Sequence, residues 1–226
     1  MWSEAISRAM GRMEDTRRRV GPHWADPETG DWTTTVDGDW TGGQWAGMHW
    51  LAAKHTGKQI YRTQAAALAQ GMKGRIAVDT VFKSFLFYYG GALGSILYQD
   101  KSAHDLALAA ARSLTSMYNP ALKLIPLGSQ AEEGGHIGNI ETSIDSLQAA
   151  PFLFWAARVS GDDKMREIAH HHAATIIPCT SAATIRSSSP RRLMNQASWC
   201  GTTRTRAIAR PAPGAARRPG ASCSRP

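Results

Sequence analysis

The chain has 226 residues, 42% of them hydrophobic, with eight tryptophans, three cysteines and a formal net charge of +8. That length suits one large domain or two small ones with ample apolar material for a core, and no run approaches the ~18 apolar residues of a membrane span. The start, Met1-Trp2-Ser3-Glu4-Ala5, has no basic region followed by an apolar run, and three cysteines at these spacings fit neither a disulfide scaffold nor a zinc site, so the expectation is a soluble, cytoplasmic globular protein.

In chain order, Ser3–Arg19 reads as a first amphipathic helix, with Ala5, Ile6, Met10 and Met13 near helical spacing. Residues 21–31 are rich in Gly, Pro and Asp and read as a loop. Trp40–His55 reads as a second helix, entered near Thr41, whose hydroxyl can cap it, and stopped by Gly57. Lys58–Gly71 follows as a third helix. Phe82–Tyr98 is so apolar that burial on most sides is expected, and Gly90, Gly91 and Gly94 permit close packing within it. Ser102–Tyr118 is the fifth helix, ended by Asn119-Pro120. Ile144–Val159 is the sixth and Asp162–Ile177 the seventh, with Pro178 expected to block continuation. No strand alternation is expected, and the fold class is all-α.

Beyond Glu167 the composition changes. Nine arginines lie there with no lysine, aspartate or glutamate, so the body before it is close to neutral and the tail carries the positive balance. The same segment holds Cys179, Cys200 and Cys223 and six of the eleven prolines, which marks 178–226 as a separate, disordered basic tail. It reads as a phosphate-binding arm, a linker, or translation in a shifted frame. Basic arms usually mix lysine with arginine, so nucleic-acid binding is disfavoured.

A weak repeat points to stacked hairpins. Trp50-Leu51-Ala52-Ala53 leads to Thr56-Gly57 and then Tyr61-Arg62; later, Trp155-Ala156-Ala157 leads to Ser160-Gly161 and then Met165-Arg166. Helical hairpins that cannot bury their faces alone form an α-solenoid or an α/α ring.

Chemistry is sought first at Asp145, at the start of a helix and downstream of the glycine-rich stretch Glu132-Glu133-Gly134-Gly135-His136-Ile137-Gly138. A carboxylate in a first helical turn also serves the helix dipole alone. The second cluster is Asp37-Gly38-Asp39-Trp40-Thr41-Gly42-Gly43-Gln44-Trp45. Trp40, Trp45 and Trp50, with His49, can offer flat faces to sugar rings, though tryptophans on amphipathic helices more often pack in the core. Asp39 equally suits a helix cap. His170-His171-His172 is no metal tract, because consecutive helical residues diverge, and neither metal nor cofactor is expected.

Taken together, these stretches resemble the unsaturated glucuronyl hydrolases, glycoside hydrolase family 88. The likeness is carried by Asp39-Trp40-Thr41-Gly42-Gly43-Gln44-Trp45-Ala46-Gly47-Met48, Thr56-Gly57 with Tyr61-Arg62, Ile144-Asp145-Ser146-Leu147 and Leu153-Phe154-Trp155-Ala156, within residues 1–177. It implies an (α/α)6 toroid with its active site at one end of the ring. It implies as substrate an oligosaccharide ending in a 4,5-unsaturated uronic acid, hydrated at its vinyl ether. It also implies that Asp145 is the acid and then the base, a dual role that partial burial of a carboxyl group favours. Trp40, Trp45 and Asp39 are the expected sugar contacts. The family's second carboxylate is matched by Asp79 through its Asp-x-x-Phe spacing, whereas counting back from the downstream helix puts Phe82 there. Family 105, the unsaturated rhamnogalacturonyl hydrolases, is the nearest rival, and a non-catalytic carbohydrate-binding remnant is the other.

A six-hairpin ring needs about twelve helices, and seven are counted. A one-base shift just before Thr205 can spell Thr-His-Lys-Gly-Tyr, and Pro211–Cys223 can give further family motifs in order. The expectation is therefore an incomplete toroid over 1–177, a frameshift near Ile177–Pro178, and a chain impaired in activity and solubility by exposed apolar flanks, including part of the Phe82–Leu97 helix.

Overall fold

A computed structural model describes residues 2–16, 21–131 and 142–185. The glycine-rich stretch at 132–138 and the tail beyond 185 lie outside the described residues. The first helix, α1 (Trp2–Thr16), closes against the second hairpin element through Met13, which is buried with Trp45, Ala52, Ala53 and Tyr61. The Tyr61 hydroxyl donates to Glu14 Oε1 at 2.6 Å, fastening the two segments.

The expected loop at 21–31 is instead a two-stranded antiparallel hairpin, β1 (Pro22–Ala25) and β2 (Trp32–Thr34), with Ala25 opposite Trp32. The strands are too short and too exposed to show alternation. Their turn is set by Asp26, whose carboxylate accepts the Glu28 and Thr29 amides at 2.8 and 2.9 Å.

Helix α2 (Gly42–Thr56) follows. Thr41 does not cap it: its hydroxyl donates to the Pro22 carbonyl at 2.9 Å and so ties the hairpin to the helix start. Gly57 does end it, at φ +70°, returning the chain as α3 (Gln59–Gly71). A 3-10 turn at Lys73–Ala77 then leads to α4 (Lys83–Phe87). The single helix expected over 82–98 is interrupted. A π segment (Tyr88–Ala92) joins α4 to α5 (Leu93–Tyr98), where Gly90 and Gly91 relax the backbone and the Gly90 carbonyl accepts the buried Trp50 indole N–H at 2.8 Å.

Helices α2 and α4–α5 run parallel and almost touch, since Gly43 lies on Leu86, Gly47 on Tyr89 and Gly94 on the Trp50 ring. Helix α6 (Lys101–Thr115), capped by the Asp100 side chain on the Ala103 amide at 3.0 Å, returns antiparallel, with Gly91 on Ala107 and Gly94 on Ala103. The expected sixth helix starts as a 3-10 turn (Ile144–Gln148) and becomes α7 (Ala149–Ser160); Gly161, at φ +72°, turns it into α8. The two glycine turns and their buried tryptophans, Trp50 and Trp155, bear out the repeat.

Helix α8 spans Asp163–Ile185, so Pro178 does not end it and the 177/178 boundary falls within it. Proline removes one backbone donor, and the turns before it are held by Ile168, Ala169, His172 and Ile176, all buried. One apolar core runs from α2 to α8 and includes Phe82, Leu86 and Phe87, so the 82–97 segment is mostly covered, with Ile96 exposed. Among the described residues no helix is long and apolar enough to cross a membrane.

A Cβ on Gly43 would lie 2.4 Å from the Leu86 Cα and 2.6 Å from two backbone oxygens, so neither flexible side chains nor rotamers can relieve it. Gly43→Ala is expected to cost about 1–3 kcal/mol or more by overpacking. Gly71→Ala, at the end of α3 with nothing within 4 Å of the new methyl, is expected to be neutral. Urea midpoints of the two variants check this.

Candidate functional site

Three first helices of hairpins (α2, α4–α5, α7) share one direction. Each is followed by an antiparallel partner, and α6 lies antiparallel to both α4–α5 and α7, with His104 near its start against Trp155 at 5.8 Å. The segments that enter these helices therefore lie at one end of the stack. They carry Asp39 and Trp40, Asp79, and Asp145, whereas the turns at Gly57, Gln99 and Gly161 lie at the other end.

Asp39 sits in the left-handed region at φ +45°, its amide donating to Asp37 Oδ1 at 3.2 Å. It does not cap α2. Its Oδ1 accepts from Arg75 Nη2 at 2.8 Å and its Oδ2 lies 3.3 Å from His23 Nε2; Arg75 Nη1 also reaches Asp37 Oδ2 at 3.6 Å. The Arg75 and Asp39 side chains are 13% and 18% exposed, so the pair is screened little by solvent. Trp40, half-buried, presents its ring edgewise to His23 and Trp24 at 6.2 and 6.1 Å. His23 and Arg75 escaped the sequence reading because they lie 16 and 36 residues from Asp39.

Trp45 occupies a different environment. It is 8% exposed and packs on the His49 ring at 4.6 Å inside the core under α1. The aromatic-core reading of this residue therefore describes its position, and no open face is left for a sugar ring.

Asp79 belongs to the connection before α4. Its Oδ2 accepts the Ser129 hydroxyl at 2.7 Å and the Ser129 amide at 2.8 Å, while its backbone pairs with Gln130 in both directions at 2.9 Å. The Ser129 hydroxyl first, and then its amide, hold the Asp79 carboxyl below its ordinary range against the opposing effect of burial. The nearby Lys83 amine is buried, donating to the Ile76 carbonyl at 3.0 Å and to Ser113 Oγ at 2.9 Å. Burial pulls its pKa down to about 8, with the Asp79 charge opposing. Phe82, the other residue matched to the second carboxylate, is 5% exposed in the core and brings no polar group. Asp79 also borders an open cleft of about 430 Å3 with Tyr118, Asn119 and Pro126.

Asp145 is the second residue of the 3-10 turn and is exposed, while its neighbour Ser146 is fully buried. Ser146 is anchored by its hydroxyl, which bonds Thr142 at 2.6 Å and donates to the Ser143 carbonyl at 2.5 Å, by its amide to the same carbonyl at 3.1 Å, and by its carbonyl to His172 Nε2 at 2.8 Å. The carboxylate thus stands in solvent on a backbone that is fixed beneath it. The three consecutive histidines diverge: His170 packs on Phe154, His171 bonds Tyr118 Oη at 2.8 Å, and His172 turns inward.

An all-α stack of hairpins whose helix entries carry carboxylates and an aromatic at one end is the architecture of the (α/α)-toroid glycosidases. No family model matches the chain. It is 31% identical over 184 residues to the unsaturated glucuronyl hydrolase of Bacillus sp. strain GL1, covering 76% of this chain and 47% of that one. It is 25% identical over 178 residues to the unsaturated chondroitin disaccharide hydrolase of Streptococcus agalactiae, covering 75% and 43%. The solved structure of the Bacillus sp. GL1 hydrolase, responsible for degradation of glycosaminoglycan, superposes with a TM-score of 0.68 at 28% identity, over 77% of this chain and 47% of that one. A further UGL structure, with dGlcA-Glc-Rha-Glc, gives the same values. The chain is a relative of the unsaturated glucuronyl hydrolases, and it spans about half the length of the curated relatives it matches.

The Ser129 clasp makes a testable statement about acid. Because the folded Asp79 carboxyl ionises below its unfolded value, its stabilising contribution is present above about pH 4 and is lost as pH falls through the folded value. Ser129→Ala is expected to return the Asp79 titration towards the ordinary carboxylate range, read by carbon-13 NMR of the carboxyl group. An unchanged titration contradicts the assignment.

Proposed function

We propose that this chain carries the acid-bearing part of a glycoside hydrolase that releases 4,5-unsaturated uronic acid from lyase-generated oligosaccharides by hydrating the vinyl ether. The observation that carries the reading is an exposed Asp145 on an anchored turn, at the end of the stack where Trp40 and Asp79 also lie, in a relative of the unsaturated glucuronyl hydrolases.

The chemistry follows from the groups. Asp145, protonated, gives its proton to C4, and positive charge develops at C5 beside the ring oxygen. The Asp145 carboxylate then takes a proton from a water molecule as the water oxygen bonds to C5. The acid is regenerated, and the resulting hemiketal opens to release the saturated sugar. Asp79, held ionised by Ser129, suits a hydroxyl contact or stabilisation of the cationic centre rather than proton donation. Trp40 offers an apolar ring beside the Asp39–Arg75–His23 cluster. Asp145 lies open to water here, where general acid catalysis is weakest, so slow turnover is proposed for this chain.

The same exposure favours a second reading, a carbohydrate-binding remnant that holds the sugar without hydrating it. We further propose, from composition, that residues beyond 177 arise from a shifted reading frame; resequencing codons 170–226 decides it, and a continuing shifted frame without helical family motifs overturns it.

The decisive assay follows loss of the conjugated double bond in the ultraviolet with an unsaturated uronate disaccharide. Asp145→Asn is expected to lower turnover by about 10²–10⁴-fold with little change in binding. Turnover equal in both chains contradicts the assignment, and binding without turnover in either supports the remnant.

A further inference from the structure

His172 lies at the middle of α8 and is fully buried, yet it is bonded on both sides to other segments. Its Nδ1 accepts the Ile125 amide at 3.0 Å, and its Nε2 lies 2.8 Å from the Ser146 carbonyl. A backbone amide can only donate and a carbonyl can only accept. The two partners therefore require one state of the ring, neutral, with the proton on Nε2.

We infer that His172 is a positioning residue that clasps the turn bearing Asp145 to the Ile125 segment, and that protonation of its ring opens the clasp. An Nδ1 that gains a proton cannot accept from Ile125, and two buried N–H groups would then face each other. The consequence for catalysis rests on the proposed role of Asp145; the clasp itself does not.

Among the described residues, the surroundings leave this ring as the switching group. The charged and titratable ones among the described residues, on the elements packed round it, are Asp145 on the turn, Lys123 and Tyr118 on the preceding segment, Arg158 on α7, and Asp163, Lys164, Arg166, Glu167, His170 and His171 on α8. None of them bonds either ring nitrogen. Burial holds the ring's pKa below the ordinary histidine value, with the Ser146 carbonyl opposing. Because the folded value is the lower one, the clasp contributes fully above about pH 6.5 and is lost as pH falls through the folded value.

The test is nitrogen-15 NMR of the full chain across pH 4–8 (about the range in which histidine titrates), following the His172 ring nitrogens and the exchange of the Ile125 amide. The expected result is a neutral Nε2–H ring at pH 7 and an Ile125 protection factor, exchange taken relative to an unprotected amide at the same pH, that falls roughly tenfold as the ring protonates, with one shared midpoint. His172→Gln, which keeps a donor and an acceptor but no titration, is expected to hold the Ser146 and Ile125 amide shifts near wild type and to remove their pH dependence. An Nδ1–H tautomer, separate midpoints for ring and amide, or undiminished pH dependence in His172→Gln would each overturn the inference. Should that variant fail to fold, the wild-type titration alone decides. The catalytic reading fails separately, if Asp145→Asn leaves turnover unchanged while the clasp titrates as described.

Discussion

The structure depends on the near-contact of two parallel helices. Where α2 meets α4–α5, Gly43 stands on the Leu86 backbone and Gly94 on the Trp50 ring, with no room for a β-carbon at either place. Side-chain interdigitation at ordinary helix spacing is replaced there by backbone against ring, and the Trp50 indole N–H is satisfied inside the π segment by the Gly90 carbonyl. Were the helices pushed apart, that N–H would lose its partner and the ring would leave a cavity. Packing and polar satisfaction therefore fix the same geometry.

This constraint reaches the candidate site through direction. Parallel first helices deliver their entering segments to one side, and those segments are where carboxylates appear. Each is secured by different physics: Asp39 by an arginine, Asp79 by hydrogen bonds from Ser129, and Asp145 by the burial of Ser146 beneath it. Asp79 is consequently held in its charged form, whereas Asp145 is held in place by its backbone and left open at its side chain. That division between an ionised carboxylate and a positioned one is what the proposed acid–base roles rest on.

Much of this was legible in the residues. The apolar stripes, Gly57 and Gly161 as turns, and Trp50 and Trp155 as packing residues follow from periodicity and from the conformational freedom of glycine. Features decided by partners distant in sequence were not legible. Thr41 looks like a cap, but the Pro22 carbonyl lies nearer to hand. Pro178 looks like a stop, but the preceding turns are already buried against α7. Trp45 belongs by its neighbours to the stretch that carries the family resemblance, and by its position under Met13 to the core. His172 drew notice only as one of three histidines, and its contacts to Ile125 and Ser146, 47 and 26 residues away, could not be read from spacing.

The proposed function places sugar at the end where the first helices begin. The most direct test is to map amide shifts of the chain on titration with an unsaturated uronate disaccharide. Changes are expected to cluster at residues 39–41, 79–82 and 142–146. Changes clustered instead at the opposite turns, around 57, 99 and 161, or no saturable change anywhere, would contradict it.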